Sequence, residues 1–209
     1  MSGLVTRIGL LGGTFDPPHI GHIRIAQEAR SALGLDEVLL VVANQPWQKV
    51  GSRSITSAEH RLAMVCAATE GIEGVHASSI EIDRGGDSYT IDTLEELSAR
   101  NDGAELFLIV GADAAAGLET WRRFVDLAQY ADLVVVNRSG TSRDIDTSTW
   151  PDRWRDGTGV RHLEIEPLQV SSSALRRGVS TGLVPPGFMS DSVLAYVREH
   201  HLYDGDSHE

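Results

Sequence analysis

The sequence has little of what an extracellular or membrane protein would need. Cys66 is the only cysteine among 209 residues, so the chain cannot form an internal disulfide and a reducing compartment is expected. No apolar run approaches the ~20 residues of a membrane-spanning helix. The first residues also lack the charged segment and apolar core of a signal peptide. We therefore expect a cytoplasmic protein that has no membrane partner.

Positive charge is also scarce. The chain has 18 Lys and Arg residues against 30 Asp and Glu residues, which gives a formal net charge of -12 at pH 7. Proteins hold nucleic acids largely by neutralising phosphates with Lys and Arg side chains. We therefore expect no nucleic-acid partner.

Short runs of Val, Ile and Leu alternate with helical patterns along the chain. The runs cover residues 8–11, 38–42, 75–82, 106–110 and 133–136, and the helical patterns cover 20–33, 57–68, 90–100 and 120–128. This alternation predicts a parallel, doubly wound sheet. The length and the 41% hydrophobic content predict a single Rossmann-like α/β domain over residues 1–209. Cys66 lies in the second helical pattern, where core packing is its expected role.

The segment 138–159 is rich in Ser, Thr, Asp and Gly and is predicted to be a long surface loop. It has neither the repeats nor the charge blocks of a linker between domains. Trp150 and Trp154 are expected to anchor this loop on the body of the protein, and a partner-binding patch is the alternative. A further strand, 160–165, and two helices follow it.

Residues 12–22 read GGTFDPPHIGH and join the first predicted strand to the first predicted helix. Gly12 and Gly13 let the backbone approach phosphates, and the start of the helix offers unpaired N–H groups and partial positive charge to an anion. His19 and His22 lie three residues apart, so they share one face of the first helical turn. Two imidazoles beside an anion-binding turn predict a nucleoside triphosphate site.

Three other loops should lie near this turn. Ligands of open parallel sheets bind beyond the carboxyl ends of the strands. Residues 44–49, 85–90 and 111–113 each fall at or near that edge of the predicted sheet. We therefore expect loops that are distant in sequence to converge on one crevice.

The GGTFDPPHIGH window resembles the signature of the HxGH nucleotidyltransferase superfamily, and especially that of bacterial nicotinate mononucleotide adenylyltransferases. The resemblance implies a Rossmann-like fold of the nucleotidyltransferase type, with His19 and His22 as catalytic residues. It further implies that the glycine turn binds ATP through Gly12, Gly13, Thr14 and Phe15. HIGH also occurs in class I aminoacyl-tRNA synthetases, but the negative charge, the short chain and the lack of a KMSKS loop disfavour a synthetase.

A second window, VSSSALR at 170–176, opens a predicted helix with three hydroxyls and returns an arginine to the same end. It is similar to the ISSTxxR signature that accompanies HxGH. The resemblance implies that Ser171, Ser172, Ser173 and Arg176 act on the β- and γ-phosphates of ATP. From the residues alone, an ordinary serine cap with a solvated arginine is the alternative.

Two stretches are similar to the part of the family that holds the acceptor. SYTIDTL at 88–94 matches SYTxxTL, which implies that Thr90 helps to hold the pyridine carboxylate, whereas the residues alone favour a helix cap at Thr90. Asp113 and Trp121 match a GxD…W pattern, which implies that Asp113 contacts the adenosine of ATP and that Trp121 stacks on the pyridine ring. We place Arg122 in the same acceptor site. A core position is the alternative for Trp121.

A third stretch, NQPWQK at 44–49, stands where the family usually reads close to PPHK. Lys49 still matches and is expected to neutralise substrate phosphates. Asn44 is expected in the acceptor site. Trp47 and Gln48 replace the usual Pro and His, which leaves the role of that position open.

Together these resemblances imply that ATP and nicotinate mononucleotide react to give deamido-NAD and pyrophosphate. The mononucleotide phosphate would attack the α-phosphorus of ATP. Because this nucleophile is already an anion, no catalytic base is expected. Mg²⁺ is the expected cofactor, carried mainly by the ATP phosphates and not by a protein metal site.

Other functions stay open at this point. One is adenylyl or cytidylyl transfer to another phosphate such as phosphopantetheine, although such enzymes tend to be shorter and to lack SYTxxTL. Another is a nucleotide-binding sensor without chemistry, against which the intact histidines and Arg176 argue. A nicotinamide-dependent dehydrogenase is disfavoured, because no GxGxxG follows the first strand. A homo-oligomer is left undecided, because apolar periodicity does not separate an interface from a core.

Overall fold

The computed structural model describes residues 5–46, 55–138 and 145–204 of the chain. Within these ranges the strands are β1 Arg7–Gly13, β2 Glu37–Val42, β3 Val75–Ser78, β4 Glu105–Gly111, β5 Ala131–Arg138 and β6 Val160–Ile165. They form one six-stranded sheet in the order β3-β2-β1-β4-β5-β6, and every neighbouring pair is parallel. The predicted doubly wound parallel sheet is confirmed.

The strand order places a crevice at the middle of the sheet. From β1 the chain moves outward through β2 and β3, and it then returns to β4 on the other side of β1. At such a reversal the loops after the two central strands turn in opposite directions and leave a space beyond their carboxyl ends. The crevice therefore lies between the loop that follows β1 and the loop that follows β4.

Helices cover both faces of the sheet. They are α1 Ile20–Leu33, α2 Ala58–Thr69, α3 Ile80–Arg84, α4 Thr90–Arg100, α5 Ala112–Ala115, α6 Phe124–Tyr130, α7 Asp152–Arg155, α8 Ser172–Ser180 and α9 Asp191–Glu199. The cluster on one face joins α1 and α2 to the sheet, and the cluster on the other joins α4 and α6 to it. A third cluster packs α8 and α9 against Met64 of α2. None of the helices in the described ranges is both long and apolar enough to cross a bilayer.

Helix α1 begins directly after the histidine window because its buried positions follow a helical period. Ile23, Ala26 and Ala29 are buried against the sheet, three residues apart in each case. The helix ends where Gly34 adopts a left-handed conformation with φ 61°, which favours glycine. This packing fixes the start of the helix at the carboxyl edge of β1.

Two predicted elements were wrong in part. The run 75–82 is not one strand, because β3 ends at Ser78 and α3 begins at Ile80. Ile80 and Glu81 are both buried, whereas consecutive strand residues would point to opposite faces. The predicted helix 120–128 is a 3₁₀ turn at Leu118–Thr120 followed by α6, with Arg123 at φ 51° between them.

The prediction that Cys66 packs in the core was also wrong, because Cys66 is exposed. The buried residues of α2 are Arg61, Met64, Val65 and Thr69, which follow the helical period. Position 66 falls beside this stripe and faces outward.

Trp150 and Trp154 anchor the segment that follows β5. The two side chains are 3% and 2% exposed and meet edge to face, with ring centroids 6.1 Å apart. Trp154 Nε1 donates a hydrogen bond to the carbonyl of Ala131, at the start of β5. The predicted anchoring of this segment is confirmed for residues 145–159.

Candidate active site

A cavity of about 290 Å³ occupies the crevice at the carboxyl edge of the sheet. The turn after β1, the loop after β2, the start of α4 and the segment after β4 form its walls. From these elements it is lined, among others, by Gly12, Gly13, Thr14, Ala43, Pro46, Tyr89, Thr90, Gly111, Trp121 and Arg122. The expected convergence of distant loops is confirmed for the described parts of those loops.

The turn after β1 is shaped by close packing around Phe15. This residue is buried and adopts a positive φ of 49°. A Cβ atom at Gly13 would lie only 2.8 Å from the Phe15 ring. Position 13 therefore needs glycine, and the ring can fold back under the turn toward the start of α1.

His19 and His22 face each other across the first turn of α1. His19 is the N-cap residue, and its backbone N–H donates to His22 Nδ1 at 3.1 Å. The two rings stack with centroids 3.7 Å apart, and the edge of Phe15 meets the His22 ring at 4.9 Å. Because Nδ1 of His22 accepts a hydrogen bond, we assign the proton of the neutral ring to Nε2. His22 therefore presents an N–H donor on its opposite side.

Gly21 allows this stacked arrangement. A Cβ atom there would lie 3.1 Å from the His19 ring and 3.3 Å from Val170. The glycine between the two histidines therefore lets the ring of one histidine and the segment before α8 approach the helix.

Helix α8 docks on the same turn. Ser172 Oγ donates to the carbonyl of Pro17 at 2.8 Å, and Arg176 Nη1 donates to the carbonyl of Asp16 at 2.7 Å. Arg176 Nη2 donates to Ser173 Oγ, while Ser171 caps the helix by accepting from the N–H of Ala174. The structure thus brings together both predicted phosphate-binding windows.

Arg176 lies deeper than a solvated side chain. It is 8% exposed, and it ties α8 to the histidine turn. Its guanidinium places a positive charge at Asp16 of the turn, which favours an anion nearby.

The N-terminus of α4 opens into the cavity. Tyr89 is the N-cap residue and makes no side-chain cap hydrogen bond, so Thr90 is the first helical residue and does not act as the cap. Uncapped N–H groups of a first helical turn attract anions. Thr90 therefore lies where a carboxylate could be held by backbone N–H groups.

Trp121 and Arg122 form one wall of the cavity, and Arg122 contacts the start of α4. Trp121 is half-buried and packs against the core cluster that contains α4 and α6, and it also lines the cavity. The Arg122 guanidinium lies 4.5 Å above the Tyr89 ring and 3.7 Å from Asp92 Oδ2. This wall combines an aromatic face with a cation.

The remaining predicted site residues lie farther out or beyond the described part. Asn44 donates through its side chain to the carbonyl of Gly86 and through its backbone to Ser88 Oγ, so it joins two loops at the cavity. Asp113 is exposed in the first turn of α5, beside the lining residue Gly111. Lys49, Trp47 and Gln48 lie outside the described residues.

Arg61 is a residue of the site that sequence reasoning missed. It is 1% exposed on α2, and it donates hydrogen bonds to four backbone carbonyls. These belong to Thr14 after β1, to Ala43 and Asn44 after β2, and to Thr56 before α2. An arginine within an otherwise apolar helical stripe is the signal that could have found it.

Glu81 was also missed. It is buried, lines the cavity and accepts a hydrogen bond from Thr93 Oγ1 at 2.7 Å. Arg84 donates to the same hydroxyl at 2.9 Å. A positive side chain thus supports the carboxylate through one hydroxyl.

The donors at this site suit phosphate oxygens better than a metal ion. Imidazole N–H, hydroxyl and guanidinium groups surround the histidine turn. Among residues 5–46, 55–138 and 145–204, no group of three His, Cys, Asp or Glu side chains is arranged to hold a metal.

Comparison with protein families and known proteins agrees with this geometry. The model of the Cytidylyltransferase-like family matches residues 10–178. A probable nicotinate-nucleotide adenylyltransferase of Frankia casuarinae is 42% identical over 198 residues, which is 94% of this chain and 100% of that protein. One of Clavibacter michiganensis is 40% identical over 197 residues, 94% of each chain.

A solved structure shares the fold. Plasmodium falciparum nicotinic acid mononucleotide adenylyltransferase, complexed with NaAD, superposes with a TM-score of 0.74 and covers 95% of this chain and 98% of its own. Its sequence identity is 16%, so this likeness concerns the fold alone.

Proposed function

We infer the function of this chain from the family to which it belongs. It matches the Cytidylyltransferase-like family and belongs to the nicotinate-nucleotide adenylyltransferases. It transfers AMP from ATP to nicotinate mononucleotide and releases deamido-NAD and pyrophosphate. One geometric observation supports this function most directly. The two predicted anion-binding windows are linked by the Ser172–Pro17 hydrogen bond across 155 residues of sequence, and Gly12, Gly13 and Thr14 of the first window line a cavity with an aromatic wall.

The proposed reaction is a direct displacement at the α-phosphorus of ATP. An oxygen of the mononucleotide phosphate forms a bond to the α-phosphorus. The bond from this phosphorus to the bridging oxygen of the β-phosphate breaks, and its electron pair leaves with pyrophosphate. Because the attacking oxygen is already anionic, the step needs positioning and charge stabilisation and no proton transfer.

The histidine pair stabilises the charge that moves toward the leaving group. His22 is held by its Nδ1 atom, and we propose that its Nε2–H donates to a phosphate oxygen. His19 is held against it by ring stacking and by Gly21. We assign His19, His22 and Arg176 as catalytic residues, with Arg176 supplying a fixed positive charge at the turn.

The triphosphate lies along the two docked turns. Gly12, Gly13, Thr14 and Phe15 form the backbone on which it rests, and Ser171, Ser172 and Ser173 supply hydroxyl or N–H donors at the start of α8. We assign Asp113 to the adenosine and Lys49 to the substrate phosphates on the resemblance alone.

The acceptor occupies the cavity beyond the turn. The start of α4 at Thr90 offers N–H groups to the pyridine carboxylate, and charge-assisted hydrogen bonds favour nicotinate over nicotinamide there. Trp121 stacks on the pyridine ring, because an aromatic face suits a flat, electron-poor ring. Arg122 and Asn44 complete the proposed acceptor site. Arg122 lies over the Tyr89 ring, and Asn44 links the loop after β2 to the carbonyl of Gly86.

Mg²⁺ is the proposed cation. It keeps several waters and binds through substrate phosphates in sites of this kind. When bound, it neutralises phosphate charge, and the residues of the turn hold the phosphates that carry it.

The reaction is tested by pyrophosphate release from ATP and Mg²⁺ with nicotinate mononucleotide, nicotinamide mononucleotide or phosphopantetheine as acceptor. We expect nicotinate mononucleotide to exceed both others by roughly tenfold or more, because only it carries the carboxylate. Release with phosphopantetheine alone would retain the histidine chemistry and remove Thr90 and Trp121 from the acceptor site. ATP binding without release from any acceptor would indicate a sensor.

A further inference from the structure

The C-terminal turn after α9 reaches back to the histidine turn. The Tyr203 hydroxyl donates to Asp16 Oδ1 at 2.8 Å, across 187 residues of sequence. Its oxygen also lies 3.8 Å from Met64 Sδ. Tyr203 adopts φ 70°, a left-handed backbone conformation that residues other than glycine rarely adopt. Surrounding contacts must hold such a conformation in place.

Asp16 is tied at both its backbone and its side chain. It is 2% exposed, its carbonyl accepts from Arg176 and its carboxylate accepts from Tyr203. Asp16 directly follows Phe15, whose ring meets His22. The tyrosine hydroxyl therefore acts on the one residue that joins the ring under His22 to the rest of the turn.

We propose that Tyr203 is a positioning residue for nucleotidyl transfer, which acts through Asp16 on the orientation of Phe15 and His22. This role rests on the proposed function, because His22 must be the donor whose orientation matters. The Tyr203 hydroxyl keeps its proton and so can donate this hydrogen bond. Burial, together with the neighbouring charge of Asp16, raises the pKa of Tyr203 well above its usual range.

The alternative is that Tyr203 only secures the end of the chain. In that case its hydroxyl would change the melting temperature and leave the chemistry alone. Displacement of a catalytic donor has a different signature: kcat falls while KM for both substrates stays, because the donor acts mainly in the transition state.

The experiment compares Tyr203→Phe with Tyr196→Phe. Each change removes one hydroxyl that hydrogen-bonds across the structure, and the Tyr196 hydroxyl contacts His60 Nδ1 at 2.9 Å, away from the histidine turn. The phenylalanine ring at 203 keeps the packing against Met64. Both variants are assayed at a temperature well below their measured melting points.

We expect Tyr203→Phe to lower kcat about tenfold, with KM for ATP and for nicotinate mononucleotide within about twofold of wild type. Tyr196→Phe should keep the wild-type kcat. The ¹⁵N signals of the histidine rings in ¹⁵N-histidine protein give a second measurement without substrate. Tyr203→Phe should shift the His22 signal, and Tyr196→Phe should shift that of His60.

A kcat of Tyr203→Phe within about twofold of wild type, or an unchanged His22 signal, would overturn the positioning role. If wild-type protein releases no pyrophosphate with nicotinate mononucleotide, the proposed function falls instead. The His22 signal then shows only whether Tyr203 orients the His22 ring.

Discussion

We propose different purposes for the two ring nitrogens of His22. Nδ1 accepts the N–H of His19 and so closes the start of α1, while Nε2 is the proposed donor to a phosphate oxygen. A substitution to alanine would remove both functions at once. The two can be separated, because an asparagine side chain can place an acceptor oxygen where Nδ1 lies but has no atom at the position of Nε2.

We predict that His22→Ala and His22→Asn both lower kcat by roughly two to three orders of magnitude, as expected for the loss of one preorganised donor. Only His22→Ala should also lose thermal stability through the missing helix cap. Steady-state kinetics and thermal unfolding measure the two effects. His162→Ala, on the exposed edge of β6, is the control. An asparagine variant with near-normal turnover would remove Nε2 from the chemistry.

Trp121 packs against the core and also lines the cavity, so a core position is compatible with the predicted stacking role. We predict that Trp121→Ala raises KM for nicotinate mononucleotide about tenfold, because stacking on a flat ring is worth roughly 1–3 kcal/mol. KM for ATP should change by less than about twofold. Trp121→Phe keeps an aromatic face and should recover most of the affinity. Equal affinity in all three proteins would return Trp121 to the core alone.

Among the larger elements, α2 holds the crevice together through Arg61. Its guanidinium bonds to carbonyls after β1, after β2 and before α2, so one side chain sets the spacing of three loops. The planar fork of arginine can serve several acceptors at fixed angles, which a lysine ammonium cannot.

We predict that Arg61→Ala lowers the free energy of unfolding by about 3 kcal/mol, because it leaves several buried carbonyls without a donor. Arg61→Lys should recover only part of this loss. Urea unfolding of both variants provides the measurement, with the exposed Arg198→Ala of α9 as a matched control. If the free energy of unfolding of Arg61→Ala lies within about 0.5 kcal/mol of that of the control, Arg61 does not hold the loops in place.

The regular elements were largely predictable because their signals are local. The helices at 20–33 and 90–100 have the predicted bounds, since an apolar helical period begins at each start. The break after Ser78 was not predictable, because an apolar alternating run fits either a strand or a short buried helix. The prediction that Cys66 is buried was wrong for a similar reason. Its position on the face of the helix, and not its hydrophobicity, decided its exposure.

The residues of the candidate site also differ in whether their signal is local in the sequence. Residues 12–22 and 170–176 are each recognisable within one window, so the two segments that the structure brings together could be predicted. Tyr203 and Arg61 act through partners 187 and up to 47 residues away. The sequence around a tyrosine or an arginine does not identify a hydrogen-bond partner that far away. Such a partner is seen only in the folded structure.

For the molecule as a whole, the contact between the two ends of the chain should give a distinct dependence of stability on pH. Burial and Asp16 raise the pKa of Tyr203 in the folded protein, relative to about 10 in the unfolded chain. The neutral form is thus favoured by folding. Its contribution is complete below about pH 10 and is lost as the pH rises above that value.

We therefore predict that the free energy of unfolding of wild-type protein falls more steeply above about pH 10 than that of Tyr203→Phe, which has no hydroxyl to ionise. Urea unfolding between about pH 8 and pH 11 measures both curves. Tyr196→Phe should lose less of this pH dependence than Tyr203→Phe, because burial and Glu199 raise the pKa of Tyr196 by a smaller amount. Parallel curves for wild type and Tyr203→Phe would contradict the raised pKa.

In the proposed reaction the mononucleotide phosphate attacks the α-phosphorus of ATP directly in this crevice. The configuration of the α-phosphorus, followed with one diastereomer of an α-thio analogue of ATP, tests this step. Direct attack is a single displacement and predicts inversion at this phosphorus in the dinucleotide product. Retention, which two successive displacements through an adenylyl-enzyme would give, or no dinucleotide at all, would rule out direct attack.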